Sequence, residues 1–191
     1  MIKRETLLSL EAYARERPSF RAKVMEHKKR RTVHLGGHLT LQFEDELTIR
    51  YQVQEMLRIE RIFEEEGIQH ELDAYNPLVP DGGNWKATML IEYPDAEERR
   101  QRLAALKGIE RRVWVQVDGC PRVHAIADED LERENEEKTS SVHFLRFELD
   151  PGMRERLRRG AKVMVGVDHD QYRAEAELQP DVRSALAADL N

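Results

Sequence analysis

The sequence predicts an α+β fold in which N-terminal helices join a mostly antiparallel β-sheet flanked by helices. Three observations lead there. Residues 48 to 66 repeat apolar groups at helical spacing, residues 85 to 93 alternate strictly between apolar and polar, and the C-terminal third holds short β-rich segments parted by turn residues. With 191 residues the chain lies in the range of one domain, 1–191, long enough to bury a proper core. Within it, 1–80 reads as a mainly helical part carrying a hairpin, and 81–191 as a mainly β part with short helices.

Taken in order, Leu7, Leu8, Leu10 and Tyr13 give a short helical face after Thr6, a candidate N-cap. Pro18 suits the first turn of a second helix running to about Arg30. That helix ends in the basic cluster Arg21, Lys23, His27, Lys28, Lys29, Arg30 and Arg31, which the helix macrodipole favours and which could also contact phosphates. Residues 33 to 41 place two histidines around a Gly pair. A three-residue loop of Gly36, Gly37 and His38 aligns Leu35 with Leu39 and Val33 with Leu41 and buries one consistent face, which a two-residue Gly-Gly turn would not. His34 then points outward with Thr40 and Gln42, and His38 sits at the tip.

On the helix of residues 48 to 66, Ile49, Val53, Met56, Leu57, Ile59 and Phe63 share one side at roughly 100° per residue. Glu60 falls near the centre of their arc, and Gln52 lies inside it. A carboxylate withdrawn from water without a partner costs several kcal/mol, on the order of 2 or more. Glu60 is therefore expected to meet a cation, a metal, strong donors or a proton of its own. Gly67 breaks the pattern, and a short helix from 68 to about 75 follows, with Ile68, Leu72 and Tyr75 on its apolar face, Glu71 flanking it and His70 nearly opposite. The strand at 85 to 93 turns Trp85, Ala87, Met89, Ile91 and Tyr93 to one face. A helix over 96 to 107 leads to a strand at 113 to 117. The acidic stretch 128 to 141 reads as a mobile loop or frayed helix. Strands at 142–149, 161–167 and 173–178 follow, with a helix opened by Asp150-Pro151 and a last one after Pro180-Asp181.

A net charge of −6 with 36% charged residues gives no bulk attraction for nucleic acid or an acidic membrane. The first 20 residues lack the apolar run of a signal peptide, and no segment has the length of uncharged residues a membrane span requires. The single cysteine, Cys120, leaves no internal disulfide and no Cys-based metal cage. The location expected on these grounds is cytoplasmic. No phosphate loop, dinucleotide Gly pattern, nucleophile elbow or His-Glu-x-x-His helix is present, and the di-iron bundle pattern fails because Glu60 has no His three residues on. Asp168-His169-Asp170-Gln171-Tyr172 lies at a turn between two strands, either a polar β-turn or a place where His169 serves as ligand or base.

Several separated motifs then stand in order: Gln52-Val53-Gln54-Glu55-Met56-Leu57-Arg58, Glu60-Arg61, Ile68-Gln69-His70-Glu71-Leu72, Tyr75-Asn76-Pro77-Leu78, Ile91-Glu92-Tyr93-Pro94, and Val167-Asp168-His169 with Tyr172. Together they resemble the bacterial domain of unknown function 3501 family over nearly the whole chain. The family has no assigned activity. The resemblance implies a redox or peroxide-stress setting, through genes for rubrerythrin-like and iron-sulfur heterodisulfide-reductase-like proteins near those of the family.

Three functions follow as expectations. The first is a non-catalytic accessory or binding protein with a redox protein partner. The second is an enzyme holding one divalent metal, iron, manganese or zinc, on Glu60, His169 and His70 or Asp168. The third, ranked last, is nucleic-acid binding through residues 21 to 31. Gln52, Gln54, Glu55, Arg58, Glu60, Arg61, Glu71, Tyr75, Asn76 and Tyr172 are the candidate functional residues. Glu55 with Arg58 or Arg61 would form reciprocal ion pairs across a twofold axis if the chain is a homodimer. The alternative is an exposed helix with local pairs.

Overall fold

Two antiparallel sheets and a helical layer organise the chain, whose computed structural model describes residues 1–130, 133–135 and 137–191. A 3-10 turn at Arg4–Thr6 precedes α1 (Leu10–Lys29), where the Ser9 hydroxyl accepts the Ala12 N–H at 3.2 Å as N-cap. The two helices expected here are one, and Pro18 sits inside it. Proline removes one intrahelical hydrogen bond, yet Pro18 faces solvent. On either side of it, Tyr13 packs edge-on against Phe20 at 6.1 Å, and Phe20 against Tyr51 at 6.0 Å, which keeps both halves on one axis.

Strands β1 (Thr32–Leu35) and β2 (Leu39–Glu44) pair in the register that buries one face, Leu35 opposite Leu39 and Val33 opposite Leu41. Gly36 takes a φ of +68° in the connecting loop. Next come α2 (Glu46–Glu60), α3 (Glu65–Tyr75), a 3-10 turn at Asn76–Leu78 and β3 (Asn84–Ile91). The helix expected to reach residue 66 stops at Glu60, because Arg61 adopts the left-handed conformation at φ 55° and turns the chain into α3. Thereafter α4 (Ala96–Ala105), β4 (Val113–Val117), β5 (Val123–His124), β6 (Ile126–Ala127), β7 (Val142–Glu148), α5 (Pro151–Arg158), β8 (Val163–His169), β9 (Tyr172–Glu177) and α6 (Pro180–Ala187) complete the chain.

The expected sheet is two sheets, ordered β1-β2-β3-β7-β6 and β5-β4-β8-β9. The first draws strands from both parts of the chain. Alternation sends Phe43, Trp85, Met89, Leu145 and Phe147 of the first sheet and Val113, Val115, Val163 and Val165 of the second into one apolar core. Phe43 meets the Trp85 ring edge-on at 6.0 Å, and the Trp85 indole donates to the Leu186 carbonyl at 2.9 Å, binding α6 to the sheet. A second, smaller apolar cluster joins Ile2 and Leu7 to Ile49, Val53 and Leu57 of α2 and Ile68 and Leu72 of α3. The helical layer thus has its own core on the outer side of the five-stranded sheet.

Of the acidic stretch 128 to 141, Leu131, Glu132 and Glu136 lie outside the described residues. The rest is tied down rather than helical. Asp128 accepts from the Phe144 N–H at 3.0 Å and meets the fully buried His143 ring at 2.5 Å, and Glu134 accepts the Gly108 N–H at 2.7 Å.

Candidate functional site

Strand β2 runs directly into α2, and the junction builds the site. Asp45 Oδ1 accepts the Thr48 N–H at 2.9 Å while Thr48 Oγ1 accepts the Asp45 N–H at 2.9 Å. This reciprocal box starts the helix with no loop between and folds α2 back over the outer, polar face of the sheet. Between helices and sheet a cleft of about 330 Å³ remains, within the range of small-molecule sites. Ile49, Leu78, Leu90, Val142 and Phe144 give it apolar walls; Lys28, Thr40, Gln42, Glu44, Thr48, Gln52, Tyr75 and Thr88 give it polar groups.

Glu44 dominates its chemistry. The side chain is nearly buried, with the residue 7% exposed, and accepts hydrogen bonds from Thr48 Oγ1 at 2.5 Å and Thr88 Oγ1 at 2.7 Å. Its cross-strand neighbour Lys86 gives it no charge, since that ammonium donates instead to the Pro77 carbonyl. Burial, then the charge of Arg146, holds the Lys86 pKa below its usual value. Among the described residues Glu44 has no ion pair. At the mouth Gln52 hydrogen-bonds the Tyr75 phenol; burial pushes that phenol up, the Gln52 bond works against it, and Glu71 adds to the rise. Lys28, from the end of α1, is half-buried at the cleft wall, and its ammonium has no partner among the described residues. A larger neighbouring cleft of about 560 Å³ shares Leu78 and Phe144, and its arginine is already engaged by carboxylates. There Arg146 holds Glu129 through two bonds of 2.7 Å and also pairs with Glu148.

Glu60 is exposed at the last residue of α2, with Ile59 and Phe63 beside it 59% and 72% exposed. The buried face of α2 ends a turn earlier, at Leu57, and so the expectation of a buried carboxylate is overturned. His70 is exposed on α3. His169 Nδ1 accepts the Gln171 N–H at 3.2 Å and its Nε2 faces the Lys107 carbonyl at 3.0 Å, while Asp168 stands 3.8 Å from both Arg122 and His124. No group of three or more His, Cys, Asp or Glu side chains among the described residues could hold a metal ion. The structure therefore does not assemble the expected set of Glu60, His169, His70 and Asp168.

Several motif residues fasten the chain instead. Gln54, buried within α2, clamps Leu8, accepting its N–H at 2.6 Å and facing its carbonyl at 3.4 Å. Asn76 does the same to Ile2 at 2.8 and 3.0 Å. Each primary amide replaces a missing strand partner for a backbone donor and acceptor. Glu55, expected to pair across a twofold axis, is taken up within the chain. Arg17 grips it at 2.7 and 2.8 Å, Tyr13 donates at 2.7 Å and Arg58 at 3.3 Å. The Arg17 bonds, with those of Tyr13 and Arg58, hold the Glu55 carboxyl down at about 2 against the cost of burial. Arg61 serves as the left-handed cap of α2.

Tyr172 joins the two sheets: its hydroxyl donates to the Leu35 carbonyl at 2.6 Å and accepts the His38 N–H at 3.1 Å. A Cβ on Gly36 would come within 2.6 Å of that oxygen. The basic cluster is also partly internal. Arg31, 2% exposed, pairs with Asp189 and stands 3.5 Å from Asp45, and His27 meets Asp45 at 2.5 Å. Burial raises the Asp189 pKa; at Asp45 burial also pushes upward, but Arg31, the Thr48 N–H and His27 outweigh it and the pKa falls.

Glu44, Thr48 and Thr88 were not singled out from sequence, and Lys28 was noted only as one of the basic cluster that ends the helix. Thr40, Gln42 and Glu44 alternate as any wet strand face does. The one available signal is the amphipathic helix that follows without a loop and must cover something.

Fold and site define an α+β protein of two antiparallel sheets with a helix-covered, carboxylate-bearing cleft. The chain belongs to the DUF3501 family, described as protein of unknown function, whose model matches residues 1–190. It is similar to a novel protein of unknown function from Burkholderia pseudomallei K96243, known from a crystal structure, with 57% identity, a TM-score of 0.95, and coverage of 100% of this chain and 99% of that one. A comparison with curated proteins gave no match. No helix among the described residues is long and apolar enough to cross a membrane.

Proposed function

We propose that this is a non-catalytic binding protein whose small-molecule ligand occupies the cleft over the outer face of the five-stranded sheet. The carrying observation is Glu44, a nearly buried carboxylate with two hydroxyl donors and no cation, inside a cavity of ligand size. An ionised carboxylate withdrawn from water is stabilised by a countercharge, and here the ligand is the group that supplies it. The apolar walls contribute affinity by burial of the ligand's body. The accessory role in a redox or peroxide-stress system, which the family resemblance implies, gives the setting in which a bound ligand would be handed on or sensed.

A thermal-shift screen of a small-molecule library tests the binding role. Stabilising compounds are expected to lose their effect in Gln52→Trp, which closes the mouth of the cleft. Hits that all survive that substitution would place binding elsewhere and sink the proposal. The redox setting is tested separately by cross-linking with rubrerythrin-like and iron-sulfur proteins of the same cell; failure of both to cross-link removes that part alone.

A further inference from the structure

We infer that the ligand of this cleft is a zwitterion, carrying an ammonium group for Glu44 and a carboxylate for Lys28 on a short apolar body. The inference rests on the proposed binding role of the cleft and names its ligand class. The polar groups around the cavity sort into those already engaged and those left over. Thr40 Oγ1 donates to Glu92 at 2.6 Å, the Gln42 amide nitrogen is used by the Arg31 and Phe43 carbonyls at 3.3 Å, and Gln52 is bonded to Tyr75.

Two charges of opposite sign remain. Glu44 receives only two of the roughly four hydrogen bonds a carboxylate can accept. Lys28, a half-buried residue lining the same cavity, has no carboxylate partner among the described residues and does not reach Glu44 as an ion pair. Two opposite charges not paired with each other, in one cavity whose walls also include Ile49, Leu90 and Phe144, complement a molecule with the reverse arrangement. An ammonium also supplies the donors that Glu44 lacks, while its three hydrogens match a pocket rimmed by hydroxyl oxygens. A compound with either charge alone would leave one of the two side chains uncompensated, and one with neither would leave both.

Calorimetric titration with matched probes decides the matter: ω-amino acids of graded length, n-alkylamines, n-alkyl carboxylates and neutral n-alcohols, against wild type, Lys28→Met and Glu44→Gln. For the best-fitting length, the amino acid is expected to bind at least ~10-fold more tightly than the amine or carboxylate of the same length, as a charge-assisted bond implies. Lys28→Met should bring the amino acid down to the affinity of the amine, and Glu44→Gln should bring it to that of the carboxylate. Lys28 lies at the surface end of α1, so its variant tests the inference even where Glu44→Gln disturbs folding. Equal binding of amines and amino acids, or no change in Lys28→Met, overturns the zwitterion while leaving the cleft as a binding site. Binding by alcohols alone does the same. Absence of binding by every probe overturns the zwitterion; the binding role itself then stands or falls with the library screen against Gln52→Trp.

Discussion

The two faces of the five-stranded sheet are built from the same strands and serve opposite purposes. On the inner face Phe43, Trp85, Met89 and Phe147 are sealed against the second sheet, and affinity between the layers comes from apolar area. On the outer face the alternating partners of those residues, Thr40, Glu44 and Thr88, lie under α2 with a cavity between. A strand's period of two gives each face its own composition, so one element can carry a core and a site without either compromising the other. The helical layer also has stabilising contacts of its own. It holds together through its own apolar cluster and through the Gln54, Glu55 and Asn76 fasteners.

The contrast is open to breaking. Trp85→Ala removes a fully buried ring and its bond to Leu186 and should destabilise the protein by about 3–5 kcal/mol in denaturant titration; a loss under about 1 kcal/mol would mean the inner face is not the main core. Gln54→Ala leaves the Leu8 N–H and carbonyl without a partner and should lose about 1–3 kcal/mol, with faster proteolysis of the N-terminal segment as the local readout.

Next in size is Glu55→Gln, expected to lose about 1–2 kcal/mol near neutral pH after allowance for solvent screening. The sign of its pH dependence is fixed. Because the folded carboxyl lies at about 2, below its ordinary 4.5, its contribution is complete above about 4.5 and is lost as pH falls towards 2. Wild type and variant should therefore converge in melting temperature across that window, and parallel curves would show that Glu55 is not the group responsible. Thr88→Val, on the outer face, removes one donor to Glu44 and should lose about 1 kcal/mol or less, while changing ligand affinity. A loss rivalling that of Trp85→Ala would make the outer layer structural. Smallest of all, Glu60→Gln should stay within about 0.5 kcal/mol of wild type, since the carboxylate is exposed; a larger shift would revive its burial.

What the sequence by itself determined was local and periodic. The β1–β2 register, the strict faces of β3, and the Asp150 start of α5 follow from turn geometry, side-chain alternation and capping, each of which acts within a few residues. The family was also legible there, through separated motifs in order. Only the tertiary structure decided which polar residues leave water. A helical wheel fixes the angle of Glu60 but not how far along the axis its neighbours extend, and it stands just past them. A strand pattern assigns Glu44 to the polar face but not the helix that will cover that face. Burial is a property of the partner surface as much as of the element, and the partner arrives from elsewhere in the chain.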